Sequence, residues 1–66
     1  MSVVKVLELM ASSETSWEDA TRTAVSKASK SIKNIRSAWV KDQSVSVKDG
    51  NVTLFRVTLK VTFEID

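Results

Sequence analysis

The most regular pattern in this chain is a two-residue alternation of apolar and polar side chains over residues 55–65. Successive side chains of a strand point to opposite faces of a sheet, so this alternation predicts a β-strand with one buried face and one polar face. The apolar positions are Phe55, Val57, Leu59, Val61, Phe63 and Ile65, and the polar positions are Arg56, Thr58, Lys60, Thr62 and Glu64.

A second strand-like stretch precedes this one and forms a predicted hairpin with it. Residues 35–47 and 52–65 are separated by residues 48–51, which contain the Asp49-Gly50 step. That step is a strong signal for a tight turn between antiparallel strands. Arms of roughly 12 residues at a rise of ~3.3 Å extend about 40 Å, which is longer than one short helix can cover. We therefore expect the hairpin to bend and to wrap onto a neighbouring subunit.

The core-facing phase of the first hairpin arm changes along its length. Ala38 and Val40 fall on one parity, whereas Val45 and Val47 fall on the other. A strand keeps one parity per face unless an extra residue is inserted, so a bulge or sharp bend is predicted near Asp42-Gln43.

The N-terminal half predicts a strand followed by an amphipathic helix. Residues 3–10 are rich in β-branched side chains, and a polar stretch follows over 12–16. Ser16 is placed to cap a helix that begins at about Trp17. Apolar residues then recur at intervals of three and four, which places them on one helix stripe. The stripe consists of Trp17, Ala20, Ala24, Ala28 and Ile32.

These elements predict an α+β fold in β-α-β-β order, a single domain over 1–66 in which a three-stranded antiparallel sheet wraps on one helix. Sixty-six residues bury only about 60% of the surface of the unfolded chain, so a monomer is marginally stable. The chain has no Cys and no His, which removes disulfides and the common zinc sites as additional sources of stability. Self-association is therefore the favoured source.

Composition also limits the function. Without His or Cys, and with one Gly, no nucleophile-and-base pair and no glycine-rich phosphate loop is available, so enzyme activity is not expected. The net charge of +2 comes from 10 basic and 8 acidic residues mixed along the chain, which predicts neither a nucleic-acid nor a membrane partner. The sequence shows no signal peptide and no apolar run of spanning length, so a cytoplasmic protein is expected.

One aromatic residue is predicted on the polar face of the sheet. If Val40 packs inward, Trp39 and Arg56 point outward together with Lys41 and Gln43. Trp and Arg are favoured in interface cores, so a neighbouring subunit is one explanation for an outward Trp39. A platform on which a planar ligand stacks is the other.

Two further features have simpler interpretations. Trp17, in the first turn of the helix, is expected to pack against the sheet or the preceding loop rather than to contact a ligand. A basic group near the end of the helix is explained by the helix dipole and solubility, with a phosphate- or nucleic-acid-binding surface as a third hypothesis. The group at the end of the helix consists of Lys27, Lys30 and Lys33, and the hypothetical binding surface adds Arg36.

The order and content of these segments resemble the dodecin family over practically the whole chain. The segments that support the resemblance are Val6-Leu7-Glu8-Leu9, Thr15-Ser16-Trp17-Glu18-Asp19-Ala20, Asn34-Ile35, Ala38-Trp39-Val40-Lys41-Asp42-Gln43 and Phe55-Arg56-Val57-Thr58-Leu59-Lys60-Val61-Thr62-Phe63. The resemblance implies a hollow homododecamer built from trimers. Flavin-binding members hold riboflavin-type ligands between subunits, stacked on a Trp and hydrogen-bonded by a Gln, and other members are associated with coenzyme A or metal ions.

The resemblance implies a non-catalytic protein that sequesters a flavin, riboflavin or FMN, at intersubunit sites. The alternative is a shell without flavin that has a structural role or binds a metal or another cofactor. Ser37 falls at the position of the stacking Trp, and Trp39 follows two residues later on the same face. Arg56 occupies the Gln position. The expected cofactor-binding residues are therefore Trp39, Arg56, Ser37 and Gln43, and Asp42 matches an acidic position near a bound cation in some members.

Overall fold

The structure, a computed structural model, describes residues 3–65 and contains four elements in the predicted order. Strand β1 spans Val3–Ser13, helix α1 spans Trp17–Ala28, strand β2 spans Ile35–Lys48 and strand β3 spans Asn51–Ile65. The three strands form one antiparallel sheet. The predicted α+β class and β-α-β-β order are thus confirmed. The predicted domain of 1–66 also includes Met1, Ser2 and Asp66, which lie outside the described residues.

The last strand lies at the centre of the sheet, in the order β1-β3-β2. Leu59 of β3 lies opposite Leu9 of β1 and opposite Val40 of β2. A central strand is covered on both edges, so its alternation is the least disturbed of the three. The clean two-residue pattern of residues 55–65 is the sequence counterpart of this central place.

The core lies between α1 and the odd-numbered residues of β3. Val57, Leu59 and Val61 are fully buried, and Ala20 of the helix is buried against them. Small Ala side chains let the helix backbone approach the large β-branched residues of the sheet closely. The helix packs against β1 and β3 and leaves β2 largely uncovered.

The helix is capped as predicted but ends earlier than predicted. The Ser16 hydroxyl accepts a hydrogen bond from the Asp19 backbone N–H at 2.9 Å. The apolar stripe predicted helix as far as Ile32, but α1 ends at Ala28. Beyond it, the N–H groups of residues 30 and 31 donate to carbonyls three residues back, which tightens and closes the turn.

The predicted hairpin turn is confirmed at Asp49 and Gly50. Their φ values are 51° and 78°, so both turn residues are in the left-handed region that a type I′ turn requires. The strands pair up to Lys48 and Asn51, the residues directly flanking this turn.

The pairing of β2 with β3 contains the predicted irregularity and two more. The register with β3 shifts between Val40 and Asp42, so the extra residue is Lys41, just before the predicted position. Two further shifts occur near Arg36 and between Ser46 and Val47. The bulge at Lys41 exchanges the faces of the residues that follow it, and this changes the composition of the candidate site.

Candidate functional site on the open face of the sheet

The sheet has one face turned away from α1, here called the open face, which carries the even-numbered residues of β1 and β3. Cross-strand pairing arranges the side chains of this face in rows, one residue from each strand. Successive rows lie about 6.6 Å apart, the distance of two residues along a strand. Three rows matter here, and they are Glu8–Lys60–Trp39, Val6–Thr62–Ser37 and Met10–Thr58–Asp42.

Trp39 lies on the open face, as the sequence predicted, and is 47% exposed. It belongs to β2, directly opposite Lys60 of the central strand. Val4, Val6 and Met10, also on this face, are exposed as well. A large aromatic ring and several apolar groups on a well-ordered sheet form a surface that favours contact with a ligand or another chain.

The row next to Trp39 contains only short side chains. Ser37 and Thr62 lie opposite each other, and their hydroxyl oxygens are 2.6 Å apart. On the far side of this row, Arg36 and Glu64 form an ion pair at 2.8 Å. The Val6–Thr62–Ser37 row is therefore a low strip between two rows of long side chains, here called the slot.

A second ion pair crosses the open face on the other side of Trp39. Lys41 Nζ donates to Glu8 Oε1 at 2.8 Å, which connects β2 to β1 above the central strand. This hydrogen bond, together with the positive charge of Lys41, lowers the pKa of the Glu8 carboxyl from its ordinary value of 4.5. The same contact raises the pKa of Lys41. Both side chains are thus held in their charged forms.

Gln43 does not lie on the open face, and the prediction that it shares a face with Trp39 is wrong. It pairs with Val57, a core residue, so its side chain is on the helix side of the sheet. There it lines a groove with Val40 and Trp17. The cause is the bulge at Lys41, which shifts the parity of β2 before Gln43 rather than after it.

Arg56 lies on the open face, as predicted, but away from Trp39. Its guanidinium donates to Ser46 Oγ at 2.8 Å. Along β3 it is four residues from Lys60, which corresponds to about 13 Å. Within the chain the structure therefore brings together Ser37 and Trp39, and it places Arg56 and Gln43 elsewhere.

Asp42, the predicted cation ligand, is exposed on the open face opposite Thr58. Residues 3–65 contain no group of three or more His, Cys, Asp or Glu side chains arranged to hold a metal ion. Strong Ca²⁺ sites use six to eight oxygen ligands. A cation at Asp42 would therefore need oxygen ligands beyond the acidic side chains of residues 3–65.

The structure also tests the expectations for Trp17 and for the basic surface. Trp17 packs on the sheet, as predicted: its ring lies edge-on to Phe55 at 5.2 Å, and its Nε1 donates to the Ser44 carbonyl at 3.0 Å. The hypothetical basic surface is divided, because Lys27 lies on the helix whereas Arg36 is paired with Glu64 on the opposite side of the sheet.

Sequence reasoning missed Lys60 and Thr62 as neighbours of Trp39. Both have the right parity for the open face, but parity alone does not give the pairing register. The register places Lys60 opposite Trp39 and Thr62 opposite Ser37.

No helix in the described part of the chain has the length and apolar character needed to cross a membrane.

The fold and the open face together define a small α+β domain whose sheet is covered on one side by a helix and left accessible on the other. The dodecin family model matches residues 3–66. The chain therefore belongs to the dodecin family, which confirms the resemblance seen in the sequence.

Known dodecins match this chain over nearly its whole length. Calcium dodecin from Mycobacterium tuberculosis is 38% identical over 65 residues, which cover 98% of this chain and 92% of the relative. The crystal structure of that protein, described with a calcium-binding site, superposes with a TM-score of 0.84 at 37% identity and covers 97% of this chain and 91% of the other. Dodecin from Streptomyces coelicolor is 26% identical, with a TM-score of 0.93 and coverage of 98% and 93%.

Proposed function

We propose that this chain is the subunit of a hollow, non-catalytic homododecamer of trimers that binds and stores a planar small ligand, with flavin (riboflavin or FMN) as the leading candidate. The observation that carries the proposal is Trp39, an indole that is 47% exposed on a paired strand beside a row of short side chains. Such a ring offers a flat apolar surface at little cost in conformational entropy. We expect the protein to act in the cytoplasm.

The slot supplies what a planar ring needs next to a stacking surface. Ser37 and Thr62 are small enough to leave room for a ring against Trp39. Their hydroxyl groups, now bonded to each other, can donate to carbonyl oxygens or accept from a ring N–H. In this proposal Ser37 and Trp39 act from one subunit.

The remaining contacts come from neighbouring subunits. Arg56 lies two rows from Trp39 and donates to Ser46, and Gln43 is on the other face of the sheet. In this proposal neighbouring subunits present Arg56 and Gln43 to the ligand that stacks on Trp39. This arrangement fits a site that is complete only in the assembly.

The proposal is tested by titrating riboflavin and FMN with the purified protein, following flavin fluorescence and measuring the mass of the oligomer in the same sample. Trp39→Ala should weaken binding by at least about fivefold, since stacking of a base-like ring on an aromatic side chain contributes ~1–3 kcal/mol, and it should leave the mass unchanged. Trp39→Phe, the matched control, should retain part of the affinity. Unchanged affinity in Trp39→Ala would contradict the platform. Smaller species in sedimentation would instead assign Trp39 to subunit contacts, as in a purely structural shell.

A divalent cation is the second candidate ligand, and the 38% identity to calcium dodecin favours it. Asp42 is the residue we expect to bind it, because its carboxylate is exposed on the open face at the bulge. Calorimetric titration of the assembled protein with Ca²⁺ should show binding that Asp42→Asn removes. Asp49→Asn in the hairpin turn is the matched control and should bind normally. Equal binding in both variants would exclude Asp42 as a ligand.

Coenzyme A is a third candidate, because its adenine is a planar ring that Trp39 could stack. It belongs in the same titration series as the flavins. Competition between coenzyme A and FMN would place both on the Trp39 platform.

A further inference from the structure

The charges around Trp39 are unequally neutralised. Three cationic side chains lie near the platform and the slot: Lys60 in the row of Trp39, and Arg36 and Lys41 at the two bulges of β2 that flank Trp39. Arg36 is paired with Glu64 at 2.8 Å, and Lys41 is paired with Glu8 at 2.8 Å. Lys60 forms no ion pair within 4.0 Å with any residue of 3–65. One positive charge beside the platform is thus left without a close counter-charge.

Lys60 is also the cation placed nearest to the platform by the pairing register. It lies on the central strand, directly opposite Trp39 on one side and Glu8 on the other. The Glu8 carboxylate already accepts the hydrogen bond from Lys41, and Lys60 acts on it only at longer range, as a minor contribution to its lowered pKa. The Lys60 ammonium is therefore available to another anion.

The surroundings make this charge effective. Lys60 is half-buried between its two neighbours, and partly buried charges are screened less by salt than fully exposed ones. The other acid near the platform, Asp42, lies one row away, about 6.6 Å along the strand, on the far side of the Lys41 bulge. A negative group at the edge of a ring stacked on Trp39 would meet Lys60 first.

We infer that the Trp39 platform selects planar ligands that carry a negative charge, and that Lys60 is the residue that determines this selectivity. The inference rests on the proposed function, since it concerns the same site. It specifies the ligand class: an aromatic ring with an attached phosphate or carboxylate rather than a neutral ring.

Riboflavin and FMN are a matched pair of probes, because they share the ring and differ by one phosphate. The assembled wild-type protein should bind FMN about fivefold more tightly than riboflavin at low salt, a difference in the range of a single partly exposed charge pair. Lys60→Gln should remove this preference by weakening FMN while leaving riboflavin within roughly twofold. Lys60→Arg should keep the preference, and Lys48→Gln, at the hairpin turn, is the control that should change neither affinity. In 1 M salt, where the Debye length is ~3 Å, the wild-type preference should shrink.

The outcomes separate the two proposals. Equal affinities for FMN and riboflavin in the wild type would overturn the selectivity and leave the Trp39 platform in place. A preference for FMN that survives Lys60→Gln would overturn the assignment to Lys60. Failure of the assembled wild-type protein to bind either flavin would overturn the proposed flavin site and this inference with it.

Discussion

Trp17 is the side chain that connects the helix to β2, and replacing it tests how much that connection stabilises the fold. Trp17→Phe keeps an aromatic ring near Phe55 but removes the Nε1–H that donates to the Ser44 carbonyl at 3.0 Å. A typical intramolecular hydrogen bond contributes about 0.5–1.5 kcal/mol. The smaller ring also fills less of the contact with Phe55, and an edge-to-face pair contributes about 0.5–1.5 kcal/mol in full. We expect a total loss of about 1–2 kcal/mol.

Thermal unfolding measures this loss. For a chain of this size, 1 kcal/mol corresponds to about 4–8 °C in Tm. The comparison must be made at equal protein concentration, because association makes Tm concentration-dependent. Arg22→Gln is the control on the same helix: its ion pair with Glu18 is more than 80% exposed at both ends, and such pairs contribute little. A Tm for Trp17→Phe within 1 °C of that control would refute the assigned role.

Two other changes have defined outcomes. Leu59→Ala removes a fully buried side chain at the centre of the sheet, and a loss of ~2–5 kcal/mol should leave little folded or assembled protein in sedimentation and circular dichroism. The Glu8–Lys41 pair gives a pH dependence. Because the pKa of Glu8 is lowered in the folded protein, its stabilisation is present above 4.5 and is lost as the pH falls through the folded-state value. Lys41→Gln should therefore lose less Tm than the wild type between neutral pH and pH 3, and equal losses would contradict the contribution of the pair.

Most of the fold could be predicted from local patterns because the elements with the cleanest patterns are the ones that tertiary contacts disturb least. The alternation of β3 predicted its buried face, and the structure buries Val57, Leu59 and Val61. The apolar period predicted helix as far as Ile32, but periodicity does not register that the N–H groups of residues 30 and 31 already donate three residues back, where the regular helix ends.

The site was less predictable because it depends on register. Trp39 and Ser37 were placed correctly on one face since they precede the bulge. Gln43 was placed wrongly because a bulge only one or two residues from its predicted position exchanges the face of the next side chain. Lys60 was not recognised because it pairs with Trp39 across two strands, and the two residues are 21 positions apart in the sequence. No local pattern encodes that pairing.

The central place of β3 also has a consequence for synthesis on the ribosome. Both β1 and β2 pair only with β3, and not with each other. The ribosome produces β1, α1 and β2 first. At that stage neither strand has a neighbour with which to form the hydrogen bonds of the sheet. A nascent chain arrested before residue 51 would therefore hold a helix and two unpaired strands with exposed apolar side chains, a species prone to aggregation. The sheet can form only when the third strand has left the exit tunnel.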